Sequence, residues 1–242
     1  MPDIPKFAGL ALATLAAGFL RGYSGFGGGL VMAPFFTRVV GPADSVALIS
    51  LIHVLTGFQG VRVSAPLTDK NIVLPLLISA VICVPAGVYL LEALEPQFVK
   101  TVVAAIVIVF AIAVSAGAEL RGGPTVVKSI LVGSVSGILN GFCGIGGPPA
   151  VLYLLGGGRG ASNRLRASFI IFFAVLYPAT VLTLALAGFI GLHATLTAVL
   201  LAPIYFGTTE GGRWCFHALP SRWFVPVCTA VLCLSGVSML FG

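Results

Sequence analysis

Apolar residues run almost without interruption through most of the chain. Continuous apolar stretches cover about 45–63, 71–92, 98–117, 164–187, 190–212 and 222–241, separated by short polar or turn-forming segments. Each is close to the ~20 residues that carry a helix across a bilayer core about 30 Å thick. A membrane β-barrel would instead alternate apolar and polar positions in segments of about ten residues. Two further apolar segments, about 7–40 and 127–157, are longer and are broken in the middle by glycine. Glycine clusters of this kind do not sustain regular helix. The pattern predicts an all-α integral membrane protein in which each broken segment precedes three full spans.

The two broken segments are copies of one another. Gly18-Phe19-Leu20-Arg21-Gly22-Tyr23-Ser24-Gly25-Phe26-Gly27-Gly28 aligns with Gly137-Ile138-Leu139-Asn140-Gly141-Phe142-Cys143-Gly144-Ile145-Gly146-Gly147 at a constant offset of 119, and every glycine has its counterpart. Gly41 and Gly160 keep that offset, and Pro96 and Pro220 correspond at an offset of 124. Residues 1–120 and 121–242 therefore read as two repeat halves. The first twenty residues resemble a signal peptide, with Lys6 ahead of an apolar run. The same segment type recurs in mid-chain, so the first copy is expected to be structural.

Composition removes the other classes. Of 242 residues, 58 % are apolar and only 8 % charged, with a mean hydropathy of +1.12. A soluble domain carries about 25 % charge, and disorder needs high charge with few apolar groups. The net charge is +6. No basic run or basic-aromatic interleaving accompanies it, so nucleic acid is not an expected partner. The charge reads as topology and as attraction for anions. Cys83, Cys143, Cys215, Cys228 and Cys233 lie mostly in apolar runs without CxxC spacing. They read as small buried hydrophobes rather than metal ligands or disulfides, and no metal or cofactor is expected.

Positive charge also bears on topology. If both broken segments simply cross, the basic residues divide almost evenly between the faces. If both are re-entrant hairpins, Lys6, Arg38 and Lys100 fall on one face, and Arg62, Lys70, Arg121, Lys128, Arg159, Arg164, Arg166, Arg213 and Arg222 fall on the other. The second arrangement has the stronger bias and puts both termini outside. Three crossings per half then give the halves opposite orientation, the inverted-repeat plan of secondary transporters. The hairpin tips are expected to meet near mid-depth.

The tips carry the candidate chemistry. Glycine lets backbone N–H groups curl around a small ligand. A helix restarts after each tip, aiming its free N–H groups and positive dipole end at the same point. Two such ends would bind an anion without a formal charge. Arg21 adds a guanidinium suited to a carboxylate or sulfonate, and Asn140 is its repeat counterpart. His53, Thr56, Gly57 and Gly60 share one helical face with Gln59 beside it, a small polar strip in an apolar span. His53 and Gln59 join the candidate site on that ground. The GxxxG pairs Gly18/Gly22, Gly137/Gly141 and Gly207/Gly211 read as helix-packing faces. Glu210 reads as an interfacial ion pair with Arg213, and proton coupling is its sharper alternative. Arg159, Arg164 and Arg166 read as topogenic.

The segments GFGGGLVMAPFF at 25–36 and GFCGIGGPPAVLYLL at 141–155 resemble the sulfite exporter TauE/SafE family of membrane transporters. The resemblance covers the whole chain, since family members are built from two such halves. It implies a transporter of sulfur-containing anions such as sulfite, thiosulfate or organosulfonates like sulfoacetate, with export as the direction. It also implies substrate contact at Ser24, Gly25, Phe26, Gly27 and Gly28, and at Cys143, Gly144, Ile145, Gly146 and Gly147. The second tip has Pro148-Pro149 where the first has Gly29-Leu30, so the two sets of contacts need not match. Uptake of another small anion is the alternative within transport. An intramembrane thiol enzyme using Cys143 is the alternative outside it, and it lacks an evident base; the chain is expected not to be an enzyme. The expected partners are a small anion and the lipid bilayer, with a homodimer left open, and the expected location is the bacterial inner membrane.

Overall fold

The computed structural model describes residues 4–116, 118, 125–156 and 163–218. They form ten α-helices: α1 (Ile4–Ser24), α2 (Gly28–Val40), α3 (Pro42–Thr56), α4 (Val61–Ser64), α5 (Lys70–Ala93), α6 (Pro96–Ser115), α7 (Val126–Cys143), α8 (Gly147–Leu155), α9 (Asn163–Leu186) and α10 (Leu192–Ala218). No strand occurs among the described residues. Among the described residues five helices are long and apolar enough to cross a membrane, or six if α3 and the bent segment after it count as one span. The predicted spans at 71–92, 98–117, 164–187 and 190–212 correspond to α5, α6, α9 and α10. The predicted span at 222–241 lies outside the described residues.

Large apolar side chains such as Leu12, Ile82, Val109, Leu131 and Leu186 are exposed on the outer surface. In water such a surface would drive association; against lipid tails it is the expected exterior. Local sequence starts the helices in familiar ways. Asp69 accepts the Asn71 N–H at the start of α5, and the Thr125 hydroxyl oxygen accepts the Lys128 N–H at the start of α7, each occupying an orphan donor.

Both glycine-broken segments double back. Lys6 and Leu10, early in α1, line the same cavity as Val39 and Val40 at the end of α2. In the second segment Gly146 sits beside the Ser136 carbonyl. The Tyr153 hydroxyl donates to the Thr125 carbonyl and bonds Ser129 Oγ at 2.7 Å. The end of α8 thus lies beside the start of α7. The first arms end alike: the Gly25 N–H returns to the Arg21 carbonyl and the Gly144 N–H to the Asn140 carbonyl, both glycines having positive φ. These left-handed residues are where each chain turns.

Two helix pairs dominate the packing, and both run parallel. Gly18 and Gly22 of α1 press on Tyr205, Thr208 and Thr209 of α10, and Gly212 presses on Phe19 and Tyr23. Gly133, Gly137 and Gly141 of α7 press on Leu76, Ala80 and Val84 of α5, and Gly87 presses on Ile138 and Phe142. Without a Cβ the backbones meet directly, the usual association mode of membrane helices. Gly207 and Gly211 do not behave this way. Nothing among the described residues lies within 4 Å of a Cβ built at either, so Gly212 rather than that GxxxG pair is the packing glycine of α10.

One expected span is not continuous. The run at 45–63 breaks after Thr56 and bends by 75° between α3 and the segment Val61–Leu67. Gly60, with a positive φ of 77°, caps the restart. The apolar count across the break is high enough for one helix, but Gly57 and Gly60 let the chain turn.

Candidate anion site

The two hairpins meet at the start of α2. A Cβ at Gly29 would lie 2.5 Å from the Gly144 carbonyl oxygen and 2.9 Å from Tyr177 Oη. Tyr177 lies midway along α9, and Ile49, against Gly144, midway along α3. The first tip reaches further: Gly25 packs on Arg166 in the first turn of α9.

His53 stands at this junction and is 3 % exposed. Its Nδ1 lies 2.7 Å from the Ile49 carbonyl oxygen and its Nε2 lies 2.8 Å from Tyr205 Oη. A carbonyl can only accept, so Nδ1 carries a proton, and in the neutral ring Nε2 accepts from the Tyr205 hydroxyl. The ring stacks on Tyr177 at 3.9 Å between centroids, and Nε2 would lie 2.8 Å from a Cβ at Gly28. His53 is therefore locked between α3, α9, α10 and the first turn of α2.

Arg21 lies beside this cluster, 6 % exposed. Its guanidinium donates to Thr56 Oγ1 at 3.3 Å and lies 5.6 Å from the Tyr205 ring centroid. No carboxylate within 4 Å pairs with it among the described residues. An unpaired guanidinium at such depth is costly. Arg21 does not snorkel to the outer surface; it lines a cavity of about 350 Å³. That cavity opens between the ends of α1 and α10, the α3–α4 break and the start of α9. Gln59, Gly60, Arg166, Glu210 and Arg213 line it too. Gln59 Nε2 donates to Glu210 Oε1 at 3.0 Å, and Glu210 pairs with Arg213, the ion pair expected from the sequence.

Of the residues expected from the sequence to bind substrate, Arg21 and Gln59 reach this cavity, and His53 adjoins Arg21 through Tyr205. The tip residues do not line it. Ser24 Oγ donates within its own hairpin, to the carbonyls of Leu20 or Phe26, and accepts the Phe26 N–H. The Phe26 ring packs edge-on against Phe110 and Phe169. Gly25, Gly27 and Gly28 are buried, as are Cys143, Gly144, Ile145, Gly146 and Gly147. The Cys143 thiol donates to the Leu139 carbonyl. Asn140 is wholly buried: its Oδ1 accepts the Gly146 N–H at 3.1 Å and its Nδ2 donates to Thr180 Oγ1 at 2.7 Å. It pins the second hairpin to α9.

Sequence reasoning missed Arg166, Tyr177 and Tyr205. Arg166 reads as a topogenic charge beside Arg164, yet its Nη2 donates to the Gly22 carbonyl at 2.6 Å and its side chain borders the cavity. The two tyrosines read as ordinary aromatics of apolar spans.

Long lipid-compatible helices, two doubled-back hairpins and a basic cavity beside the end of the first arm define a multi-pass helical membrane protein with an internal polar site. Residues 10–239 match the family model described as sulfite exporter TauE/SafE. The chain belongs to that family of membrane transporters. Neither curated proteins nor solved structures give a significant match to it.

Proposed function

We propose that the chain is a secondary transporter that exports small sulfur-containing anions, sulfite or an organosulfonate such as sulfoacetate, across the bacterial inner membrane. In this reading, residues 1–120 and 121–242 are two oppositely oriented halves that alternate access to a central site. The reciprocal pairing of α1 with α10 and of α7 with α5 supports two equivalent halves. The clustering of Arg62, Lys70, Arg164, Arg166 and Arg213 toward the end of the bundle where the cavity opens supports a cytoplasmic vestibule.

The observation that carries the proposal is the buried Arg21, which lacks a carboxylate partner and faces a cavity. An anion entering there neutralises a charge that the protein leaves uncompensated. Beyond Arg21, His53 and the starts of α2 and α8 would receive the anion once the hairpins part. Gly25, Gly27 and Gly28, and Gly144, Gly146 and Gly147, would supply close backbone approach. Ser24, Phe26, Cys143 and Ile145 would shape the tips, and Asn140 and Gln59 would hold them in register. No covalent step is assigned to Cys143.

The test is a binding panel on the purified protein in neutral detergent: sulfite, thiosulfate, sulfate, taurine, sulfoacetate, acetate and a sugar, with and without Arg21→Ala. Selective binding of a sulfur anion that Arg21→Ala abolishes is the expected result. Binding of neutral compounds only, or of no member of the panel, overturns it.

A further inference from the structure

We infer that Arg166 is a second anion-binding residue, and that with Arg21 it selects doubly charged over singly charged anions. This rests on the transport reading above and deepens it.

Three guanidinium groups and one carboxylate border the cavity: Arg21, Arg166, Arg213 and Glu210. The carboxylate is taken, since Glu210 pairs with Arg213 and accepts from Gln59. Neither Arg21 nor Arg166 has a carboxylate within 4 Å among the described residues, so both face the cavity without an ion-pair partner. Their placement is also linked through the backbone. Arg166 Nη2 donates to the carbonyl of Gly22, the residue after Arg21, at 2.6 Å. The Arg166 Nε is buried and has no hydrogen-bond partner. Its guanidinium lies 5.0 Å from the Phe216 ring centroid, which keeps that face away from water. Arg164, two residues earlier, is exposed and borders no part of the cavity. A purely topogenic arginine would resemble Arg164.

Two partly dehydrated cations beside one cavity repel each other, and the repulsion is strong where water is scarce. A monoanion relieves one of them. A dianion relieves both, and a pair of planar guanidinium forks can each meet an oxygen pair on it. The cavity is thereby matched to a small dianion such as thiosulfate or sulfoacetate.

Methanesulfonate and sulfoacetate share a sulfonate head and differ by one carboxylate, which makes them the test pair. Calorimetric titration of the full chain in neutral detergent at neutral pH is expected to show tighter binding of sulfoacetate. Arg166→Gln is expected to weaken sulfoacetate binding about tenfold or more, and methanesulfonate by less than about threefold. Arg166→Lys, which keeps the charge and loses the fork, is expected to recover part of the difference. Equal loss for both anions, or no loss for either, overturns the inference. If Arg166→Gln unfolds, Arg166→Lys and the wild-type preference decide. Equal wild-type affinity for the two anions overturns the inference outright. Wild-type binding that needs Arg21 but ignores ligand charge sinks this inference alone; binding of neither anion, nor of any other in the panel, sinks the transport reading with it.

Discussion

Gly29 faces the carbonyl oxygen of Gly144 so closely that a methyl group there would lie 2.5 Å from that oxygen and 2.9 Å from Tyr177 Oη. The two hairpins thus touch backbone to backbone, with no side chain between them. Gly29→Ala would force them apart or displace Tyr177 from beside His53. Overpacking of this kind costs about 1–3 kcal/mol. We expect a lower melting temperature and loss of flux in proteoliposomes. Gly9→Ala is the control, since a Cβ there meets nothing within 4 Å among the described residues, and it should leave both quantities unchanged or raise stability slightly.

The parallel pair α1–α10 makes a second prediction. A Cβ at Gly22 would collide with the Thr209 carbonyl, and one at Gly137 with the Ala80 carbonyl. Alanine at either position should lower the melting temperature by several degrees or abolish folded yield. Alanine at Gly207 or Gly211 should be tolerated. Equal damage at all four positions, read by thermal unfolding in detergent, would contradict the packing described here.

Topology can be read by labelling. Arg38 and Arg164 are both exposed, at the end of α2 and the start of α9. In a cysteine-free background, Arg38→Cys and Arg164→Cys should react with an impermeant maleimide from opposite sides of the membrane. Reaction from the same side would sink the inverted arrangement of the halves.

Asn140 ties Gly146 to Thr180 through two hydrogen bonds. Asn140→Leu strands a buried backbone N–H, at a cost of about 1–3 kcal/mol. The expected outcome is a destabilised protein whose remaining folded fraction still binds anion, because the side chain does not border the cavity. A stable variant that fails to bind would make Asn140 a ligand-contacting residue instead.

The helices were legible because lipid demands long apolar runs: α5, α6 and α9 match the predicted runs within two residues, while α10 continues six residues past the predicted end. The hairpins were legible through the glycine copies at 25–28 and 144–147. The break after Thr56 was not, because Gly57 and Gly60 sit in a run apolar enough for either outcome and only packing decides it. Arg21 stood out as a charge inside a span. Arg166 did not, since a cation near a helix start has an ordinary reason to be there. Its turn toward Gly22 depends on where α1 lies relative to α9, a relation between residues far apart in the chain. Tyr177 and Tyr205 were hidden for the same reason: an aromatic in an apolar span carries no mark of its partner.

The glycine face of α1 has a consequence for how the molecule is made. Its partner, α10, lies near the far end of the described chain, whereas α7 presses on α5, a helix made before it. A nascent chain inserting from its amino terminus holds a small-residue stripe with nothing to seat against until almost all of it has been synthesised. Such non-local pairing slows folding and leaves intermediates exposed. A truncation that removes α10 would leave the Gly18 and Gly22 face of α1 without the surface it packs on.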